Sequence, residues 1–575
     1  MKVGYLVLLS VFSVSICRSA DTVWVRLYDG RSQLCPNRAA DVVVWDSSIV
    51  YTCGGGEFHW PGNSDMLVAA YRADGTFLDA NCVGGISLVA KDEVAYSLVL
   101  DSAGFVYTAG YTYNDPESRA DDITWFKVKI EADTMIDPWA NKSFWPGDDR
   151  AFDITFGNYG DLYLCGADHR DTLMPDISAF TLIRSNPADG SIIWSKSLML
   201  DKDARPRPRR DPFPGLFYEW GGWDNCATCL SVTREGDIVV GGSGMNEQGE
   251  RDVWVMEFDT AGTCRWSTVF SSSGHYDDMV FDLAVAEDGS IYACGLSELV
   301  EEGTEDLLVF RIADTGGVIN EYRYNSVPNL DDFATQLALD DASPQNVYVT
   351  GTSESAVRGF QVLTHKLSHE LVPLWGSDGA KFGWAADDFG YDIAYSDHRV
   401  YVAGTVSDNA WLICYSDSNV VGGETLWTYS YDLPDHLSDY ASCLCVVDSD
   451  EIYLGGECDR IDSASNWSSM FLARLRTSPG GIEESDSPHR QKLTLRPNPT
   501  AGKASLTLGD RLERVSRIDL CDMAGRTLST LPRRTCRPSG GPLVLDFTGL
   551  KPGVYVLRAL DETGRLLAST KVVLP

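Results

Sequence analysis

Eight times along this chain an aliphatic residue, usually a tyrosine, and two small or apolar residues lead into a glycine. The glycines are Gly54, Gly110, Gly166, Gly242, Gly295, Gly351, Gly404 and Gly456, separated by 56, 56, 76, 53, 56, 53 and 52 residues. The copy from Asp277 to Tyr324 shows the whole unit. Asp277–Val285 is followed by a turn at Glu287-Asp288-Gly289, Ile291–Gly295, an acidic loop, Asp306–Ile312, a turn at Thr315-Gly316-Gly317 and Val318–Tyr324. Short apolar or alternating runs bounded by Asp-Gly and Gly-Gly turns predict four antiparallel strands in succession. One such sheet cannot bury its own faces, so the copies must pack on one another. A four-strand unit of roughly 50 residues, repeated, predicts the blades of a β-propeller around a central channel.

The predicted fold is therefore all-β: an eight-bladed β-propeller over residues 21–476, after a signal peptide at 1–20. A linker at 477–491 leads to a small Ig-like β-sandwich at 492–575. The fourth strand of most copies carries an aromatic, at Trp194, Trp266, Tyr322, Trp375 and Trp427. The eighth copy stops after its third strand. Residues 22–28, Thr22-Val23-Trp24-Val25-Arg26-Leu27-Tyr28, have the alternation and tryptophan of the missing strand and are expected to close the ring.

Lys2 and the apolar run from Val3 to Ile16, with small residues after it, have the layout of a secretory signal peptide. The run is too short to span a bilayer. An excess of 83 acidic over 47 basic residues, net −36, argues against an electrostatic grip on nucleic acid or anionic lipid. Of the 15 cysteines, Cys53, Cys165 and Cys294 share one repeat position, where a cysteine acts as a small apolar side chain. Cys226 and Cys229 have metal-motif spacing, but they fall on an inner strand with no second pair at zinc spacing.

One propeller face gathers the loops that enter each first strand and those that join each second strand to the third. The entering loops carry Asp148-Asp149, Asp277-Asp278, Asp331-Asp332 and Asp387-Asp388, with Asp224 and Asp439 in other copies. Asp149, Asp278, Asp332 and Asp388 are the candidate cation ligands, because clustered carboxylates suit hard divalent ions, and calcium is the one cofactor this face admits. The competing reading is that each Asp accepts hydrogen bonds from the backbone of its own blade. The same face receives the single insertion, residues 199–223, in which Arg205, Arg207, Arg209 and Arg210 precede Tyr218, Trp220 and Trp223. The three aromatics are the candidate ligand platform, with a packed lid over the channel as the alternative. No catalytic constellation stands out. His365 and His369 fall on a strand and turn, and neither a phosphate loop nor a nucleophile elbow is present.

Repeats such as Asp259-Thr260-Ala261-Gly262-Thr263-Cys264-Arg265-Trp266 resemble those of bacterial secreted propellers and, more distantly, quinoprotein-type repeats. The second resemblance implies a pyrroloquinoline cofactor held with calcium beside two adjacent cysteines. No two cysteines are adjacent here.

Beyond the linker the charge changes sign, to +7 over residues 492–575. Four blocks appear there in order. They are Pro497-Asn498-Pro499-Thr500-Ala501-Gly502, Asp522-Met523-Ala524-Gly525-Arg526, the stretch from Leu545 to Arg558 that contains Gly553-Val554-Tyr555, and Lys571-Val572-Val573-Leu574. They resemble the type A sorting domain of the type IX secretion system. That resemblance implies an address read by the secretion machinery through Pro497, Asn498, Pro499, Gly502, Asp522, Gly525, Arg526, Gly553, Tyr555 and Lys571. It also implies passage through the periplasm to the medium or the cell surface. The leading expectation is an exported, non-catalytic recognition module. A secreted enzyme acting on a glycan or peptide polymer through the acidic face, or a surface scaffold component, is the alternative.

Overall fold

The structure, a computed structural model, describes residues 20–28, 37–56, 65–83, 93–113, 121–143, 145, 147–169, 177–200, 224–272, 277–298, 304–327, 329–383, 387–432, 436–462 and 465–477. In the C-terminal unit it describes 493–496, 503–508, 517–521, 527–532, 543–546, 553–560 and 566–574. No helix occurs among the described residues.

Strand β1 (Ala20–Tyr28) stands apart from the sheet that follows it. Blade 1 is β2 (Arg38–Trp45), β3 (Ile49–Gly56), β4 (Asp65–Arg72) and β5 (Phe77–Val83). Blade 2 is β6 (Val94–Leu100), β7 (Val106–Tyr113), β8 (Asp121–Glu131) and β9 (Thr134–Lys142). Blade 3 is β10 (Arg150–Phe156), β11 (Leu162–Asp168), β12 (Ala179–Ser185) and β13 (Ile192–Leu198). Blade 4 is β14 (Cys226–Val232), β15 (Ile238–Met245), β16 (Arg251–Phe258) and β17 (Cys264–Phe270). Blade 5 is β18 (Asp278–Val285), β19 (Ile291–Glu298), β20 (Glu305–Ile312) and β21 (Val318–Tyr324). Blade 6 is β22 (Asp332–Leu339), β23 (Val347–Ser355), β24 (Gly359–Leu367) and β25 (Ala380–Phe382). Blade 7 is β26 (Phe389–Ser396), β27 (Arg399–Val406), β28 (Asn409–Ser416) and β29 (Glu424–Tyr431). Blade 8 is β30 (His436–Asp448), β31 (Glu451–Asp462) and β32 (Ser465–Thr477), with β1 as its outer strand.

Inner strands of successive blades touch in turn, and β2 touches β30, which closes an eight-bladed propeller. β1 pairs antiparallel with β32 from Ala20↔Thr477 to Tyr28↔Met470. The first and last strands of the propeller sequence are thus held together by backbone hydrogen bonds, which makes the ring a single closed unit.

The repeated glycine has a steric cause. In every inner strand the register skips one residue, for example between Ala39 and Asp41, so a β-bulge carries the inner strand close over its neighbour. A Cβ on Gly54 would lie 1.8 Å from the Arg38 carbonyl oxygen, and one on Gly110 1.9 Å from that of Val94. The same approach recurs at the other six glycines, and no side chain fits there.

Neighbouring blades interlock at the rim through tryptophan. Trp194 Nε1 donates to the Thr260 carbonyl (3.0 Å) and Trp266 Nε1 to that of Asp314 (2.9 Å), each in the outer turn of the next blade. Gly262 and Gly316 in those turns, at φ +80° and +89°, lie against the indole faces. Trp139, not singled out in the sequence, does the same toward Pro187. Trp375 lies before β25 rather than on it, because Pro373 cannot donate to a ladder and Gly376 turns the chain at φ +88°. Its indole still reaches the Ser418 carbonyl at 2.7 Å.

Residues Ile482–Pro575 form a second compact unit. It contains β33 (Leu493–Arg496), β34 (Lys503–Leu508), β35 (Arg517–Cys521), β36 (Thr527–Pro532), β37 (Leu543–Asp546), β38 (Gly553–Leu560) and β39 (Leu566–Leu574). These make two antiparallel sheets, ordered β33-β34-β37 and β36-β35-β38-β39, with Ile518, Leu520 and Leu557 buried.

Candidate functional site

The bulges aim one residue per blade at the central channel. In chain order these are Asp41, Ser97, Asp153, Cys229, Asp282, Gln336, Asp392 and Cys443, and together they border a cavity of about 390 Å³. Odd blades carry Asp and even blades do not. Each Asp takes two backbone N–H groups from residues that follow the bulges. One comes from the next residue, Val42 (2.7 Å), Ile154 (2.8 Å), Leu283 (2.8 Å) or Ile393 (2.7 Å). The other comes from the following blade, Leu98 (3.0 Å), Leu230 (3.0 Å), Leu337 (2.9 Å) or Leu444 (2.7 Å). Four carboxylates thus serve all eight bulges, where a buried N–H left unpaired costs about 1–3 kcal/mol.

Seams from even to odd blades are made differently. Thr228 donates to the Val280 carbonyl (2.6 Å), Thr335 to that of Gly390 (3.0 Å) and Ser442 to that of Ala39 (2.5 Å). At the fourth such seam Ser97 donates to Asp153 (3.0 Å). Burial pushes Asp41 and Asp282 up to about 7 and Asp153 and Asp392 up to about 6, against the pull of the N–H donors. The charges of Asp153 and Asp392 raise Asp41 and Asp282 further. All four carboxyls sit deep in the protein yet are only half-buried, being open to the channel, which screens them. The sequence reading missed this ring. Its signal is an Asp before an aliphatic residue in every second copy, 112, 129 and 110 residues apart.

Asp149, Asp278, Asp332 and Asp388 occupy one position on four different blades, at or just before the start of the inner strand, and all are fully buried. Asp149 accepts from the His169 N–H (2.8 Å), Asp332 from that of Ser326 (2.5 Å) and Asp388 from that of Ser407 (2.6 Å). Asp278 accepts from the Ser272 N–H at 2.5 Å and from the Ser297 hydroxyl. Asn37, Glu93, Asn225 and Asp439 fill the same place in the other blades. Among the described residues no three His, Cys, Asp or Glu side chains are grouped to hold a metal ion. Nearer the rim of this face Arg251 pairs with Asp277 at 2.7 Å and Arg150 with Asp121 at 2.7 Å. Where Arg251 stands in blade 4, blade 5 has Glu305, whose carboxyl faces Asp331.

Tyr218, Trp220 and Trp223 lie outside the described residues, as do Pro497, Asn498, Pro499, Gly502, Asp522, Gly525 and Arg526. Gly553 and Tyr555 lie on β38, paired with Leu574 and Val572, and Lys571 lies on β39 opposite Val556. Cys226 packs with Phe152 and Ala167, and Cys229 packs in another cluster with Val280 and Leu283. His365 is buried on β24 and His369 lies in the turn beyond it.

No protein-family model matches the chain, and no curated protein matches it. Among solved structures it is similar to the β-propeller domain of the trilobed protease from Pyrococcus furiosus, at 9% identity and a TM-score of 0.35, over 68% of this chain and 97% of that one. A protein of unknown function from Dyadobacter fermentans matches at 9% identity and a TM-score of 0.34, over 80% of this chain and all of that one. PorZ, a surface component of the type IX secretion system of Porphyromonas gingivalis, matches at 12% identity and a TM-score of 0.30, over 93% and 81%. The propeller assignment rests on this chain's own strand pairing. The pyrroloquinoline group does not fit the channel wall: Cys229 and Cys443 stand on different blades, and each ring carboxylate already holds two N–H groups.

Proposed function

We propose that this chain is an exported recognition module, carried to the medium or cell surface by its C-terminal unit acting as a type IX sorting domain, and that its propeller binds a ligand without converting it. One observation supports binding over catalysis. The carboxylates deepest in the propeller are each held by two backbone N–H donors, which fixes them as parts of the frame rather than as free acids and bases. The ligand would then be met by the loops of the acidic face, with Tyr218, Trp220 and Trp223 as its aromatic platform. A cation on that face would draw on loop carboxylates as well as on Asp149, Asp278, Asp332 and Asp388, since those four sit on separate blades. Sorting would run through the motif blocks from Pro497 to Lys571, in a unit whose two sheets would pack as an Ig-like sandwich.

A secreted polymer-acting enzyme is the second reading, favoured by channel carboxyls held near 6 to 7, a range suited to general acids. Incubating the full chain, with calcium, on a panel of surface polysaccharides and peptides separates the two. Retention without new products, lost in a Trp220→Ala/Trp223→Ala variant, supports the module; new products establish the enzyme. Removing residues 492–575 should leave the propeller in the periplasm if the unit is an address.

A further inference from the structure

The alternation around the channel divides the eight blades into four pairs, 1–2, 3–4, 5–6 and 7–8. Within each pair the inner strands are joined by an ionisable carboxyl, and between pairs mostly by neutral hydroxyl-to-carbonyl bonds. On five of the eight blades the residue before the repeat glycine follows the same alternation. Cys53, Cys165 and Cys294 stand behind Asp on odd blades, while on even blades Gly241 and Gly455 make room for Cys229 and Cys443, whose sulfurs lie 3.0 Å and 2.7 Å from where a Cβ would be. The two-blade unit is therefore the repeat that the packing recognises.

We propose that the four channel carboxyls act together as a proton-operated clasp: the propeller is tightest on the acid side of neutrality, and the seams within its blade pairs loosen as the ring takes on its full charge. Burial disfavours the charge on each of the four carboxyls, and repulsion across the channel from Asp153 and Asp392 adds to it at Asp41 and Asp282. With a proton on the ring that repulsion falls, while one oxygen of each carboxyl still accepts an N–H. The sign follows from linkage. The folded chain holds ring protons that the unfolded chain has released, so this stabilisation is complete below the ordinary carboxyl range and fades as pH rises through 6 to 7.

The other groups at the ring do not compensate over that range. Arg38 lines the channel and stays charged, lying over the Tyr96 ring at 6.0 Å. Burial keeps Tyr391 and the thiols of Cys53, Cys165, Cys229, Cys294, Cys443 and Cys445 protonated, each raised above its ordinary value. On the strands packed against the carboxyls, Ser97, Thr228, Thr335, Gln336 and Ser442 carry no charge.

The test is thermal unfolding of the full chain between pH 5.5 and 8, for wild type, Asp153→Asn, Asp392→Asn and a Gln336→Ala control. The wild-type melting temperature should fall as pH rises, and each Asp→Asn change should remove part of that fall, less than an equal share because Asp41 and Asp282 hold their protons to higher pH. Gln336→Ala should leave the slope intact. Unchanged slopes in both Asn variants, or equal flattening by Gln336→Ala, would overturn the proposal. Should an Asn variant not fold, hydrogen exchange in the wild type decides. Corrected for intrinsic rates, amides of Leu98, Leu230, Leu337 and Leu444 should lose protection with rising pH more than those of the second strands. Equal loss in both would refute the clasp.

Discussion

Replacing Trp24 by Ala tests ring closure at one side chain. Trp24 is 7% exposed on β1 and joins the two ends of the propeller: its ring stacks on Tyr71 of blade 1 at 6.3 Å and meets Tyr453 of blade 8 at 6.1 Å. Its Nε1 donates to the Ala73 carbonyl at 2.9 Å, as the other rim tryptophans do toward their next blades. Gly75 in the same turn, at φ +83°, has room for no Cβ because the indole lies 2.8 Å from where one would be. A buried Trp→Ala change costs about 3–5 kcal/mol, and the lost hydrogen bond and ring contacts place this one near the middle, at about 4 kcal/mol. With about 2 cal/mol/K of unfolding entropy per residue over roughly 450 residues, that is a fall of about 4 °C in one cooperative transition. The measurement is a melt followed by near-ultraviolet circular dichroism, with Val23→Ala, 42% exposed on the same strand, as the reference. If Trp24→Ala melts with the reference variant, the N-terminal strand does not close the ring and the interlocking argument is wrong.

Deleting residues 22–28 should lower the melting temperature further while the transition stays single, checked by the same melt. Gly110→Ala should cost at least about 3 kcal/mol by urea unfolding, because its Cβ meets a backbone carbonyl that cannot move without opening the bulge. His365 is fully buried between Tyr322 and Tyr324, with its value depressed by burial to about 3, so its contribution is present above pH 6.5 and lost as pH falls below that. His365→Phe should flatten the acid limb of stability between pH 6.5 and 4 in urea titrations. Burial and the facing carboxyl of Asp331 push Glu305 up to about 8, so its stabilisation fades from the ordinary carboxyl range up to that value, and Glu305→Gln should raise the melting temperature more at pH 9 than at pH 6.

The sequence by itself determined the number of blades, because a glycine required by close backbone contact leaves a mark at every repeat whatever surrounds it. Tryptophans at the rim and turn glycines were visible for the same reason: each answers a demand within or just beyond its own hairpin. The acidic pairs before the inner strands were visible as residues but not as roles. Only the fold shows Asp149 and Asp388 spent on N–H groups about 20 residues away. The ring of Asp41, Asp153, Asp282 and Asp392 was written in the chain at every second copy, yet its purpose depends on Leu98, Leu230, Leu337 and Leu444, more than 50 residues further on. Those N–H groups meet the carboxylates because each inner strand is the channel-side edge of its sheet, and no local pattern encodes which blade lies beside which. Tertiary structure decides such pairings, since a carboxylate is drawn to whatever unsatisfied donor the neighbouring blade presents.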